Sequence, residues 1–236
     1  MVKQKRVILF LLLLINEVSF GQSTAEDDTA GTARTINYYF SRIGPNAPVY
    51  NGSAYPGYGQ KIIGSPFFGS DRLESGTLFY DGVMYPGIEM AYDVAADCII
   101  IKDRLNDNLL IRLVNEKIGY FIIHDHFFIN SNDGASNGFF DRVYDGKHVV
   151  WVKRRKQIED KPLDEKEKSA FIEYNYYYIK KETQFVPVNG LPGLLKVFAD
   201  KKAVIKKHLR DQQLTFKKNP EKTIIEAARY YDSLAN

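Results

Sequence analysis

Between residues 76 and 188 the apolar positions recur with a period near two. "TLFYDGVMY" sets two short apolar runs around Asp81-Gly82. Asp-Gly between such runs predicts a two-residue hairpin, because a type I′ turn needs positive φ at both central positions. "RVYDGKHVVWV" predicts a second hairpin of the same kind at Asp145-Gly146. "IEMAYDVA", "CIIIKD", "LLIRLV" and "GYFIIHDHFFI" lie between the two, and "GFFDRVY", "FIEYNYYYIKK" and "QFVPV" extend the series. Each reads as one strand bounded by Asn, Asp, Gly or Lys. With no helical pattern between them, neighbouring strands are expected to pair antiparallel as a meander.

The period changes after Asn189. Pro192 falls near a helix start, Asp200 and Asn219 read as N-caps, and Pro220 takes a first helical position. Val204, Ile205 and Leu209 share one side of the middle helix. Ile224, Ala227, Ala228, Tyr231 and Leu234 follow helical spacing on the last. The fold class expected is α+β: an antiparallel β-meander sheet, free to curve strongly, followed by a small C-terminal helical end. An isolated helix of about 14 residues is marginal in water. The last helix is therefore expected to dock, and the tyrosine-bearing face of strand 171–180 is the nearest apolar surface in sequence.

The N-terminal pattern is of another kind. Lys3, Lys5 and Arg6 precede an unbroken apolar run from Val7 to Ile15, and Ser19 and Gly21 are small residues placed for cleavage before Gln22. This is the grammar of a secretory signal peptide. The run is shorter than the roughly 20 residues that span a bilayer. Residues 23–35 are small and polar, as in a mobile leader. From 36 to 69, Gly, Pro, Ser and Asn interrupt recurring Tyr and Phe, which fits an extended arm pinning its aromatics to the domain surface. The expected organisation is a signal peptide at 1–21, leader and aromatic arm at 22–60, antiparallel sheet at 61–189, and docked helices at 190–236.

Charge then narrows the partners. The chain has 32 basic and 29 acidic residues. Removing Lys3, Lys5, Arg6 and Glu17 with the signal peptide leaves 29 and 28, a balance of +1. Such a chain has no global field to attract nucleic acid. The single cysteine, Cys98, has no internal partner and sits in a β-branched run, where a small buried core residue is expected.

Three stretches carry candidate chemistry. His124 and His126, read on one strand, share a face about 6 to 7 Å apart. Such a pair can begin a zinc site, but a catalytic zinc needs a third protein ligand. Asp125 points to the other face, and His148 would lie roughly 9 to 10 Å off, two strands away. Half-buried, hydrogen-bonded histidines are the expected outcome. "YNYYY" puts Tyr174, Tyr176 and Tyr178 on one face and Tyr177 on the other. Such a ladder can bind glycans or peptides, but tyrosine is also a good strand former, and packing under the helices is the expected reading. "VKRRK", 152–156, splits its charges over both faces and reads as a solvated strand end leading to a charged linker, where "LDEKEK" has room for a helical turn. No Gly-rich phosphate loop, G-x-S-x-G or paired CxxC occurs. Asn51-Gly52-Ser53 is a glycosylation sequon, relevant only in a eukaryotic secretory route.

"YNGSAYPGYGQKIIGSPFFGSD", "GTLFYDGVMYPGIEMAYDVAADCIII" and the C-terminal stretch from "FVPVNGLPG" onward resemble a group of uncharacterised secreted proteins of Bacteroidota. The likeness runs from about residue 47 to the end. It implies a periplasmic or envelope location and transfers no catalytic residue. The function expected is a non-enzymatic binding or interaction module of the envelope, with an unidentified envelope protein or ligand as partner. No nucleic acid, no cofactor and no membrane span after signal removal are expected. The alternative is a metal-dependent hydrolase built on His124 and His126.

Overall fold

Hairpin turns set the architecture. In the computed structural model, which describes residues 47–59, 62–131, 137–160, 169–181 and 184–234, Asp81 and Gly82 have φ of 52° and 80°. They join β2 (Glu74–Tyr80) to β3 (Val83–Asp93) as the type I′ expectation requires. The signal peptide, the leader and the linker helical turn lie outside the described residues.

The same device appears where it was not expected. His124 and Asp125 have φ of 49° and 62°. The run 120–130 is therefore two strands, β6 (Ile118–Ile123) and β7 (His126–Ser131), paired as a hairpin. His and Asp are among the few side chains that tolerate this left-handed conformation. Conversely, Asp145 and Gly146 stay out of it, and five residues join β8 (Gly138–Tyr144) to β9 (Val150–Asp160). The wider loop carries His148 to Asp232 near the C-terminal end, where Tyr144 at the end of β8 also donates. A Cβ at Gly146 would stand 2.3 Å from the Tyr144 hydroxyl and 2.5 Å from Asp232 Oδ2.

The remaining strands are β1 (Ser53–Ala54), β4 (Cys98–Lys102), β5 (Leu110–Arg112), β10 (Ser169–Lys181) and β11 (Gln184–Pro187). All eleven form one antiparallel sheet in the order β1-β5-β4-β3-β2-β6-β7-β8-β9-β10-β11. It is not closed into a barrel. The arm meets it at three places. Residues 53–54 are its first edge strand, while Phe67 bridges Asp93 of β3 and Ile63 bridges Ala170 of β10.

The helical end follows as α1 (Gly190–Val197), α2 (Lys202–Asp211) and α3 (Pro220–Ser233). Pro220 takes the first turn of α3, and Asn219 contributes its carbonyl, which accepts from the Thr223 N–H at 3.0 Å and hydroxyl at 2.7 Å. Asp200 does not cap α2. It lies in a short 3₁₀ turn, Ala199–Lys201, and accepts from the Tyr231 hydroxyl at 3.1 Å. Leu194, Leu195, Phe198, Ile205, Leu209, Ile224, Ala227 and Ala228 are buried against Val150 and Ile179, with Tyr177 half-buried beside them. Val204 and Leu234 stay exposed.

The helices thus cover the Tyr177 face of β10, not the face of Tyr174, Tyr176 and Tyr178. Strand alternation forces the choice. Tyr177 and Ile179 share the side of their partners Val152 and Val150, and Val150, Ile179 and Tyr177 pack against the helix layer. Ile224→Asp is expected to destabilise the whole unit by about 2 to 4 kcal/mol, the scale of charge forced into a core contact. Urea unfolding measures it. Limited proteolysis checks the docking: a fragment trimmed to about Asn189 that still melts cooperatively contradicts it.

Candidate functional site

Two groups of polar side chains stand out, one on each face of the sheet. The first lies under the arm. Asp141 of β8 is fully buried. Its Oδ2 accepts from Arg154 Nε at 3.0 Å and Nη2 at 2.5 Å, and lies 2.8 Å from Nδ1 of His126. Arg154, only 6% exposed, also donates from Nη1 to Glu221 Oε2 of α3 at 2.7 Å. Burial pulls its guanidinium down, but the hydrogen bonds and charges of Glu221 and Asp141 outweigh that and hold it above its ordinary value.

Phe68 roofs this network. Its ring meets His126 edge-on at 4.9 Å and lies 5.8 Å from the Arg154 guanidinium. Lys156 holds the arm in place by donating to the carbonyls of Ser65, at 2.9 Å, and Phe67, at 2.6 Å. His124 lies against Gly69, where a Cβ would be 2.7 Å from its ring. The two histidines therefore do not share a strand face as expected. His124 sits in the turn, His126 begins β7, and both flank Phe68. Among the described residues, no three or more of His, Cys, Asp and Glu are grouped to hold a metal ion.

Other titratable groups are structural anchors. Asp93, fully buried, accepts from the hydroxyls of Tyr55, at 2.7 Å, and Tyr58, at 3.0 Å, and from the N–H groups of Ala95 and Ala96 at 2.9 Å. Burial and Asp93 together hold both phenols well above their ordinary values. This is how the aromatic arm is pinned. His208 stacks on Tyr230 at 3.7 Å and lies 2.8 Å from Glu226. Cys98 is buried as expected, and burial, reinforced by Asp93, pushes its thiol up to about 12, so it stays unreactive.

The second group lies on the opposite face. Tyr176 and Tyr178 line a concavity of about 380 Å³ with Asp97, Asn137, Lys153 and Arg155. Tyr174 stands outside it and donates its hydroxyl to Glu159. Tyr178 packs edge-on against Phe140 at 5.7 Å, whereas Tyr176 is 43% exposed. The β9–β10 register places Lys153 beside Tyr176 and Arg155 beside Tyr174, so cations and tyrosines share one face. Lys153 Nζ donates to Asp97 Oδ2 at 2.7 Å, and Tyr92 donates to Asp97 Oδ1 at 2.6 Å. Burial pulls the Lys153 ammonium below its ordinary value and the neighbouring Arg155 charge adds to this, against the pull of Asp97. The backbone yields to this cluster at Gly138 (φ +99°), where a Cβ would meet Asp97 Oδ2 at 1.9 Å and Lys153 Nζ at 2.5 Å.

The basic run is thus not a solvated strand end at its start. Lys153 and Arg154 are both buried, one paired on each face. Alternation along "VKRRK" placed the charges on both faces, but a single sequence does not show which carboxylates meet them. No protein family, curated protein or solved structure matches the chain.

Two outcomes follow from the charged groups. Asp141→Ala leaves Arg154 short of a partner and is expected to cost about 3 to 5 kcal/mol in denaturant unfolding. Asp141→Leu with Arg154→Met should recover most of that loss. Asp232 supplies the pH test. Burial pushes its carboxyl up, but hydrogen bonds from His148 and Tyr144 outweigh this and hold it below its ordinary value of 3.8. A lowered folded value means its stabilisation is present above that pH and is lost as pH falls further. The stability gap between the native protein and Asp232→Asn should therefore be widest near pH 7 and close below about pH 4.

Proposed function

We propose that the protein is an exported, non-enzymatic binding module of the cell envelope and that its ligand face is the solvent-facing side of β9 and β10. One observation carries this reading: the exposed Tyr176 ring stands over a polar concavity beside Arg155, which has no bonded partner among the described residues. A surface that leaves a flat aromatic and an unpaired guanidinium side by side is poised for contact with something outside the chain. The signal-peptide grammar and the resemblance to secreted proteins support export. Among the described residues no helix is long and apolar enough to cross a membrane.

The hydrolase reading has lost its geometric premise. Nδ1 of His126 is engaged by Asp141 and its ring is packed under Phe68, while His124 belongs to a turn.

Hydrogen exchange of the full chain, with and without a solubilised envelope fraction, tests the proposal. Slowed exchange across 174–178 and 153–155, abolished by Tyr176→Ala at unchanged melting temperature, is the expected result. Protection confined to 122–128, with stoichiometric zinc in the purified protein, contradicts it and favours the hydrolase.

A further inference from the structure

The polar lining of this concavity narrows the ligand class. Its apolar surface is two tyrosine rings, and everything else is hydrogen-bonding or charged: Asp97, Asn137, Lys153 and Arg155. Tyr178 is packed from behind by Phe140 and Phe185, which fixes its ring. Tyr176 presents an exposed ring beside it. Two such rings are a platform for the C–H face of a sugar, whose hydroxyls need donors and acceptors at the rim. Asn137 and Asp97 provide them.

Charge gives the second constraint. The cluster holds two cations and one carboxylate. Asp97 is already committed to Lys153 and Tyr92, so among the described residues no carboxylate is bonded to Arg155, which stands beside a partly desolvated ammonium. One incoming anion would offset that repulsion and accept from the guanidinium fork. A single surplus charge suits one carboxylate and not the row of phosphates that a nucleic acid brings. At about 380 Å³ the concavity falls at the small end of ligand sites.

We infer that the Tyr176–Tyr178 concavity binds an acidic saccharide, a pyranose that stacks on Tyr176 and gives its carboxylate to Arg155. The inference rests on the reading of this face as the binding face and adds the ligand class. Lys153 orients the site through Asp97 and is not the primary anion contact.

Titration of the full chain with a galacturonic acid trimer, a neutral galactose trimer and tri-glutamate, followed by calorimetry and by NMR shifts, tests it. The uronate trimer should bind saturably and shift residues 153–155 and 176–178. The neutral trimer, and the Arg155→Gln variant with uronate, should each bind about tenfold more weakly or worse, the loss expected of one charge-assisted hydrogen bond. Tyr176→Ala should also weaken binding, with unchanged thermal melting of both variants to show that the fold is intact. Equal binding of the neutral trimer, still lost in Tyr176→Ala, overturns the acidic class and leaves the binding face standing. Tri-glutamate binding as tightly as uronate overturns the saccharide class. Uronate binding that neither variant affects, or no binding by any probe, overturns the inference. If an envelope fraction also leaves 174–178 unprotected from exchange, the binding-face reading falls with it.

Discussion

The Arg154 guanidinium holds the protein's layers in register. It leaves β9 beneath the arm, takes the buried Asp141 carboxylate of β8, and reaches the Glu221 carboxylate on the first turn of α3. Removing a charge from water costs several kcal/mol, and attraction repays this only with good geometry and full hydrogen bonding. Two carboxylates engage the three nitrogens of one planar fork here, although Oδ1 of the buried Asp141 carries no hydrogen bond among the described residues. The rest follows from it. Glu221, on the first turn of α3, ties that helix to β9, the helix's apolar side falls on Val150 and Ile179, and Phe68 closes over the remaining guanidinium surface and His126.

A division of labour results between the two faces of one strand. Even-numbered Arg154 and Lys156 spend their charge inward, on Asp141, Glu221 and the arm carbonyls. Odd-numbered Lys153 and Arg155 turn toward the tyrosine ladder, where Asp97 satisfies only one of them. Inner titratable groups are consumed by structure: Asp93 pins the arm, Asp232 ties α3 to the β8–β9 loop, and His126 completes the Asp141 cluster. Unspent polar capacity collects on the outer face, and the proposed function is placed there for that reason.

Much of the architecture was legible from local pattern. The Asp81-Gly82 hairpin, the antiparallel pairing within β2–β5 and within β6–β11, and the Asn219-Pro220 helix start are decided by neighbours in sequence and appear where expected. The meander breaks between β5 and β6, since β6 pairs with β2. Misreadings arose where a residue type serves two purposes. His124-Asp125 carries ligand-type side chains but is used for its tolerance of positive φ, which halves the supposed strand. Asp145-Gly146 has turn chemistry, yet the distant demand of Asp232 opens the loop. Alternation alone puts Tyr174, Tyr176 and Tyr178 on one face, but the helices cover the other face, where Val150 lies across the ladder from Ile179. Tyr176 and Tyr178 were legible as candidates, whereas Asp97, Asn137, Lys153 and Arg155 join them only through register and a four-residue β3–β4 turn.

A double-mutant cycle between Arg154 and Glu221 tests the central claim most directly. Stabilities of the native chain, Arg154→Met, Glu221→Gln and the double variant would be measured by urea unfolding at neutral pH. If the guanidinium couples the sheet to α3, the two losses are non-additive, with an interaction energy of about 1 to 3 kcal/mol. Losses that add to within about 0.5 kcal/mol would mean that α3 docks independently of Arg154, and would contradict the account.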